Sequence, residues 1–331
     1  MAGTADLIQS APNVGLVDSD VACIDMREIE TGNSSLRAQL VDDIHRSCRS
    51  AGFFYLTNWT DKNATAARTL EQMQAFFSLA DDAPLKTKLK RDVDDYGYTP
   101  PGGEPAYQPG TVSHLESFDF GLTATATATS GDIWPRLPEF RETATECWNE
   151  FAAAGHATLP LISEAAGLDR SFLPRHCQTQ ELNTMRLLHY PANNNGACDR
   201  NVGIAAHTDF ECMTFIYQSA PGLELAGSSR DWRDAPTHDG RIVVLLGDML
   251  ERWTNGYFTA TGHRVRNTPE QRFSIVMFFA ADDAMDIEPQ PQFVTSANPA
   301  RYAAISQARH IDAEITRAKQ QANVPEPPTA A

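Results

Sequence analysis

The chain has 331 residues, 42% hydrophobic and 21% charged, which is enough for a sizeable core without disulfides or structural metals. A formal charge of −16 argues against a nucleic-acid partner, because phosphate recognition needs clustered Lys and Arg. No window approaches the roughly 18 apolar residues of a membrane span. The opening MAGTADLIQSAPNVGLV also lacks the basic flank and apolar run of a secretory signal. Six cysteines without C-x-x-C spacing (Cys23, Cys48, Cys147, Cys177, Cys198 and Cys212) read as reduced packing thiols. The expectation is a cytoplasmic protein with no membrane or nucleic-acid partner.

The first twenty residues and the last ten read as loose ends. VACIDM (21–26) suits a short strand. A helix is expected over 35–50, with Leu36, Leu40, Ile44 and Cys48 on one face and Ser34 or Ser35 as N-cap. Gly52 ends it, and FFYLTNW (53–59) follows as a buried strand. A second helix runs over about 63–78. The segment from Tyr96, YGYTPPGGEPAYQPG, is turn-rich, and SHLESFDFGL after it reads as a strand. LTATATATSG (122–131) is polar and of low complexity, read as a loop that could serve as a lid. Helical spacing returns over 138–166.

From Leu182 to about Phe279 the chain reads as short strands: LNTMRLLHYP, CMTFIYQ, LELAG, IVVLLGDML, YFTATGHRV and RFSIVMFFA. Turn residues between them favour a jelly roll. A last helix is expected over 299–319. The fold class is thus mostly β with flanking helices, a double-stranded β-helix core with an N-terminal α/β segment. One structural unit is expected, divided into a loose N-terminus (1–20), a helical and strand region packing on the core (21–180), the jelly-roll core (181–282) and a C-terminal helix and tail (283–331).

AAHTDFECMTF (205–215) places His207 and Asp209 two residues apart. Alternate residues of a strand share a face, so the pair could converge on a metal ion. A third ligand is needed from His238, His263 or His310. His238 sits in the turn THDG and reads as solvated, and His310 reads as an exposed helix residue. His263, directly before a short apolar strand, is the better candidate. Two imidazoles and a carboxylate form the facial triad of non-heme Fe(II) oxygenases, which leaves coordination positions open for other ligands. Cys212 falls on the opposite strand parity. Nine residues past His263, Arg272 and Ser274 alternate onto one face, with Phe273, Ile275, Met277 and Phe279 on the other. A guanidinium fork beside a hydroxyl suits a carboxylate. In GDMLERWTNG, Asp248, Glu251 and Arg252 are expected to pair near a turn while Trp253 packs.

Taken together, the chain resembles the isopenicillin N synthase-like family of 2-oxoglutarate/Fe(II)-dependent dioxygenases. The likeness runs from about Val21 to Ala318 through SAGFFYLTNW, AFFSLADDAPLKTKLK, GYTPPGGE, SFDFG, IWP, MRLLHYP, AAHTDF, GDMLERWTNGYFTATGHRV and RFSIVMFF. It implies Fe(II) ligation by His207, Asp209 and His263. It also implies that Arg272 and Ser274 hold the distal carboxylate of 2-oxoglutarate, with the Tyr190 hydroxyl adding a bond. Leu188 stands where many relatives carry Asn, and Gly262 where many have Pro or a bulky apolar residue. The implied reaction uses O2, oxidises a small-molecule metabolite, most often by hydroxylation, and converts 2-oxoglutarate to succinate and CO2. Tyr98, Phe118, Phe210 and Phe279 are substrate-pocket candidates. Three alternatives stay open: an Fe(II) oxidase that binds a substrate carboxylate at Arg272 and Ser274, a zinc hydrolase, and a non-catalytic small-molecule binder.

Overall fold

A computed structural model describes residues 21–322 apart from 32, 60–63, 91–95, 106, 127–132, 194–200, 227–231 and 239. The expected loose ends at 1–20 and 323–331, and residues 127–131 of the polar stretch, lie outside the described residues. Two facing sheets form a jelly-roll core. The eight-stranded sheet runs, in spatial order, through Cys23–Asp25, Phe53–Thr57, Ile242–Leu246, Met213–Gln218, Arg272–Phe279, Thr184–Tyr190, Glu116–Gly121 and Gly97–Thr99. The four-stranded sheet runs through Trp232–Asp234, Leu223–Ala226, Gly262–Val265 and Ile204–His207.

The Arg272–Phe279 strand is central. It pairs antiparallel with Thr184–Tyr190 on one side and Met213–Gln218 on the other. Its odd residues Phe273, Ile275, Met277 and Phe279 join the large apolar cluster beneath the helices. Its even residues Arg272, Ser274, Val276 and Phe278 face a cavity between the sheets. This two-residue alternation separates packing from chemistry along one strand. The 26-residue helix Phe140–Ala165 backs the sheet. Phe279 lies against its Gly155, where a Cβ would sit 2.4 Å from the ring. Glycine is required there for close packing of helix on sheet.

Several boundaries differ from the sequence expectation. The helix Ser34–Ser50 is capped by Asn33, whose side chain accepts from the Ser35 and Leu36 amides at 3.0 and 3.2 Å, and not by Ser34 or Ser35. Leu122–Ala126 of the expected loop forms a helix, tied to Trp134 by a bond from its Nε1 to the Ala124 carbonyl. In IVVLLGDML the strand ends at Leu246 and a helix, Asp248–Trp253, begins. The Asp248 amide donates to the Asp209 carbonyl at 2.9 Å, and the Met249 amide to the Glu211 carbonyl at 3.0 Å. These bonds turn the backbone out of the sheet. Asp248, Glu251 and Arg252 do not pair with one another. Their partners are His310, Tyr302 and the Ala303 carbonyl respectively.

The final helix spans Gln307–Ala322 instead of starting near Pro299. Residues before it are committed elsewhere. Ile305 exchanges backbone hydrogen bonds with Ile287, and Asn255 bonds the carbonyls of Asn298 and Pro299 and the amide of Arg301. A backbone already bonded in this way cannot close helical turns.

Candidate active site

His207 ends the Ile204–His207 strand, and His263 lies directly opposite it on Gly262–Val265. Asp209 follows where the chain leaves the sheet. The three side chains are buried, and one donor atom from each lies within 4.8 Å of the others. His207 Nε2 is 3.7 Å and His263 Nε2 3.6 Å from Asp209 Oδ1. Each imidazole turns its Nδ1 to a carbonyl two residues back along the chain, Ala205 at 2.8 Å and Thr261 at 3.1 Å. Those bonds fix the Nδ1–H tautomer and leave both Nε2 lone pairs facing the carboxylate. Burial, then the neighbouring His263, holds His207 well below its ordinary pKa, so the ring is neutral. Asp209 Oδ2 is held by the Thr214 hydroxyl.

His238 and His310 do not join this cluster. His238 is half-buried and edge-on to Tyr55, with ring centroids 5.5 Å apart, instead of solvated. His310 is buried, not exposed as expected, and its Nε2 contacts Asp248 Oδ2 at 2.8 Å. The final helix packs inward on the cavity, which explains its burial.

Below the cluster, Arg272 is 1% exposed. Its Nε donates to the Ala220 carbonyl and its Nη2 to Gln218 Oε1, both at 3.1 Å. Its guanidinium carbon lies 4.8 Å from the Tyr190 ring centroid, across from it in register. Arg272 Nη1 and Ser274 Oγ are buried without a hydrogen-bond partner. Two buried donors left unmade are costly unless a ligand satisfies them. Burial lowers the Arg272 pKa and raises that of Tyr190. Leu188, beside Ser274 in register, contributes apolar wall where an amide could have stood.

The cavity has a volume of about 310 Å³ and is lined by the cluster, by Tyr190, Arg272 and Ser274, and by a second wall. Of the four aromatic pocket candidates, Phe210 lines it. The other three do not. Tyr98 and Phe118 are cross-strand partners packed toward Phe76 on the helical side, and Phe279 is the residue against Gly155. Sequence reasoning missed Tyr107, whose ring stacks on His207 at 4.4 Å, and Thr214. It also missed Asp119, Arg186 and Glu211, and Ile311, Ile315 and Ala318 of the final helix. Arg186 could have been found, since it shares strand parity with Leu188 and Tyr190. Glu211 is pushed up to about 8 by burial and then by Asp209.

Comparisons with known proteins agree with this geometry. A family model described as the 2OG-Fe(II) oxygenase superfamily matches residues 182–281. Another, described as the N-terminal region of non-haem dioxygenases in morphine synthesis, matches 21–137. The 2-oxoglutarate-Fe(II) type oxidoreductase hxnY of Emericella nidulans is 29% identical over 76% of this chain and 76% of its own. The leucoanthocyanidin dioxygenase of Malus domestica is 26% identical over 92% of this chain and 86% of its own. The crystal structure of a Neurospora crassa protein in complex with alpha-KG and thymine has a TM-score of 0.77 at 22% identity, covering 92% of this chain and 98% of that one. Among the described residues, no helix is long and apolar enough to cross a membrane.

Proposed function

The chain belongs to the 2OG-Fe(II) oxygenase superfamily, and on that premise we propose a division of labour among its cavity residues. It is a 2-oxoglutarate- and Fe(II)-dependent dioxygenase. When bound, the iron, 2-oxoglutarate and O2 supply an oxidative decarboxylation to succinate and CO2 coupled to oxidation of a small metabolite, read here as a hydroxylation.

His207, Asp209 and His263 are assigned as the iron ligands. Two neutral imidazoles and one carboxylate suit Fe(II), and no thiolate is among them. Arg272 and Ser274 are assigned to the far carboxylate of 2-oxoglutarate, with Tyr190 flanking. The observation that carries this reading is the pair of buried, unpartnered donors, Arg272 Nη1 and Ser274 Oγ, at the floor of the cavity that holds the cluster. A zinc hydrolase would have no use for them. The residues fit the cofactors. Gln218 and the Ala220 carbonyl hold the guanidinium in place, so little ordering is left to be done on binding. The apolar walls from Leu188, Ile204, Leu223 and Val265 exclude water around the anion.

The test is anaerobic titration of the Fe(II)-loaded protein with 2-oxoglutarate, followed by the visible charge-transfer band of the chelate. A band that disappears in His207→Ala and weakens in Arg272→Ala supports the assignment. Iron binding without a band would move the substrate's own carboxylate to Arg272.

A further inference from the structure

The cavity has a second polar wall that the iron and co-substrate assignments leave unused. Arg186 lies on the Thr184–Tyr190 strand with Asp119 as its direct cross-strand partner. Its Nε bonds Asp119 Oδ1 and Oδ2 at 3.1 and 3.0 Å, its Nη2 bonds Asp119 Oδ2 at 2.8 Å, and its Nη1 bonds Glu104 Oε1 at 2.9 Å. Glu104 also accepts from the Tyr107 hydroxyl at 2.9 Å, and the Tyr107 ring stacks on His207. The guanidinium is therefore rigid and mechanically joined to the metal cluster.

Arginine carries five N–H donors, and these bonds engage three of them. One donor on each terminal nitrogen remains. Arg186 and Asp119 both line the cavity, so a fixed donor and a fixed carboxylate acceptor stand side by side there. Two carboxylates, Asp119 and Glu104, surround the one guanidinium. An anion approaching this wall meets more negative charge than positive. Apolar side chains, Phe210, Phe278, Leu182, Ile311 and Ile315, make up much of the remaining lining, with Tyr96 and Thr184 among them. The volume of about 310 Å³ has to hold the co-substrate as well.

We propose that the substrate is a small uncharged ring compound bearing an amide-like edge, its carbonyl on Arg186 and its N–H on Asp119, and that this wall rejects carboxylates. The proposal rests on the iron and 2-oxoglutarate assignment above. A lactam or imide edge presents the complementary acceptor and donor at neighbouring atoms. The apolar walls take the ring faces.

The experiment uses the full chain loaded anaerobically with Fe(II) and 2-oxoglutarate. The probes are two neutral lactams, 2-pyridone and uracil, and two ring carboxylates of similar size, benzoate and nicotinate. Calorimetric binding is measured first, then succinate release after O2 is admitted. The lactams are expected to bind at least about tenfold tighter than the carboxylates, the scale of one charge-assisted hydrogen bond. Arg186→Met should lose that preference while the 2-oxoglutarate band persists. Asp119→Asn combined with Glu104→Gln leaves the guanidinium in excess and should bring the carboxylates level with the lactams. If Arg186→Met does not fold, Glu104→Gln alone should still narrow the gap. Carboxylates that bind as tightly as lactams to the unaltered protein overturn the proposal. So does a normal band with no lactam binding. If the band itself fails to form, the co-substrate assignment falls first and the proposal with it, so the two failures are told apart.

Discussion

His207 and His263 face each other across an antiparallel strand pair, and each ties its Nδ1 to the carbonyl two residues back along the chain. The same local bond made twice aims two Nε2 lone pairs at one carboxylate without a dedicated outer residue. Backbone bonds of this kind survive substitution of a neighbouring ligand. His207→Ala and Asp209→Ala should therefore abolish tight Fe(II) binding, measured anaerobically by equilibrium dialysis, and leave the circular dichroism spectrum unchanged. Stoichiometric iron in Asp209→Ala would remove the carboxylate from the ligand set.

Arg272→Ala should weaken 2-oxoglutarate by about 1.5–3 kcal/mol, or about 10- to 150-fold in Kd, because a charge-assisted bond is lost. Iron affinity should stay within a factor of about two or three, since Arg272 is not among the cluster donors. Arg272→Lys keeps the charge but cannot make the same fork, and should recover only part of the loss. The read-out is the midpoint of the charge-transfer titration. An unchanged midpoint in Arg272→Ala would take the carboxylate away from this residue.

Gly155→Ala should cost about 1–3 kcal/mol of stability in urea unfolding, because its new methyl meets the Phe279 ring at 2.4 Å. The double variant Gly155→Ala with Phe279→Leu should recover part of that loss. Failure of any rescue would mean that the contact does not set the cost.

Glu116 belongs to a buried group with Lys86, Tyr98 and His189, at 3.0, 2.6 and 2.8 Å. Burial raises its pKa, but bonds from His189, Tyr98 and Lys86 outweigh burial and hold it below the ordinary 4.5. A carboxylate with a depressed folded pKa adds stability above its unfolded pKa, and that stability is lost as pH falls through the folded value. Urea unfolding should therefore show stability falling below about pH 4.5, near the reference Glu value. Glu116→Gln should be about 3 kcal/mol less stable at pH 7, with buried Lys86 left only the Phe77 carbonyl at 2.9 Å and Asp81 at 3.7 Å, and flatter across the acid window. An equally steep acid loss in Glu116→Gln would assign it to other carboxylates.

Ile311 and Ile315 lie one helical turn apart on the final helix and both line the cavity. Truncating both to Ala should raise substrate KM by about tenfold or more through lost apolar contact, without moving the 2-oxoglutarate titration. An altered co-substrate midpoint would show that the helix acts on the whole cavity instead of its substrate end.

The iron and co-substrate candidates were legible because each pair falls within a short window: Arg272 and Ser274 alternate along one strand, and Asp209 follows His207 by two residues just past the end of its strand. The substrate wall was not, for a related reason. Phe118 and Phe279 each sit one residue away from a cavity-facing position, Asp119 and Phe278, and Tyr98 shares the face of its cross-strand partner Phe118. A one-residue error in parity turns a side chain to the opposite face of a sheet. Tyr107 reaches His207 from a turn-rich segment with no period to read. The inward face of the final helix and the burial of His310 arise from packing between elements about 60–100 residues apart in the chain, such as the Gln307 side chain on the Phe210 carbonyl and His310 on Asp248. Local pattern carries no information on such pairs.

His207 and His263 ride on the four-stranded sheet, whereas Arg272, Ser274 and Tyr190 ride on the eight-stranded one. On the proposed assignment, a dicarboxylate held at the metal cluster and at Arg272 spans the gap between them, so the spacing of the two layers would work as a caliper. Its setting would then come from packing remote from the chemistry, and diacids of other lengths are expected to bind less tightly at the far carboxylate.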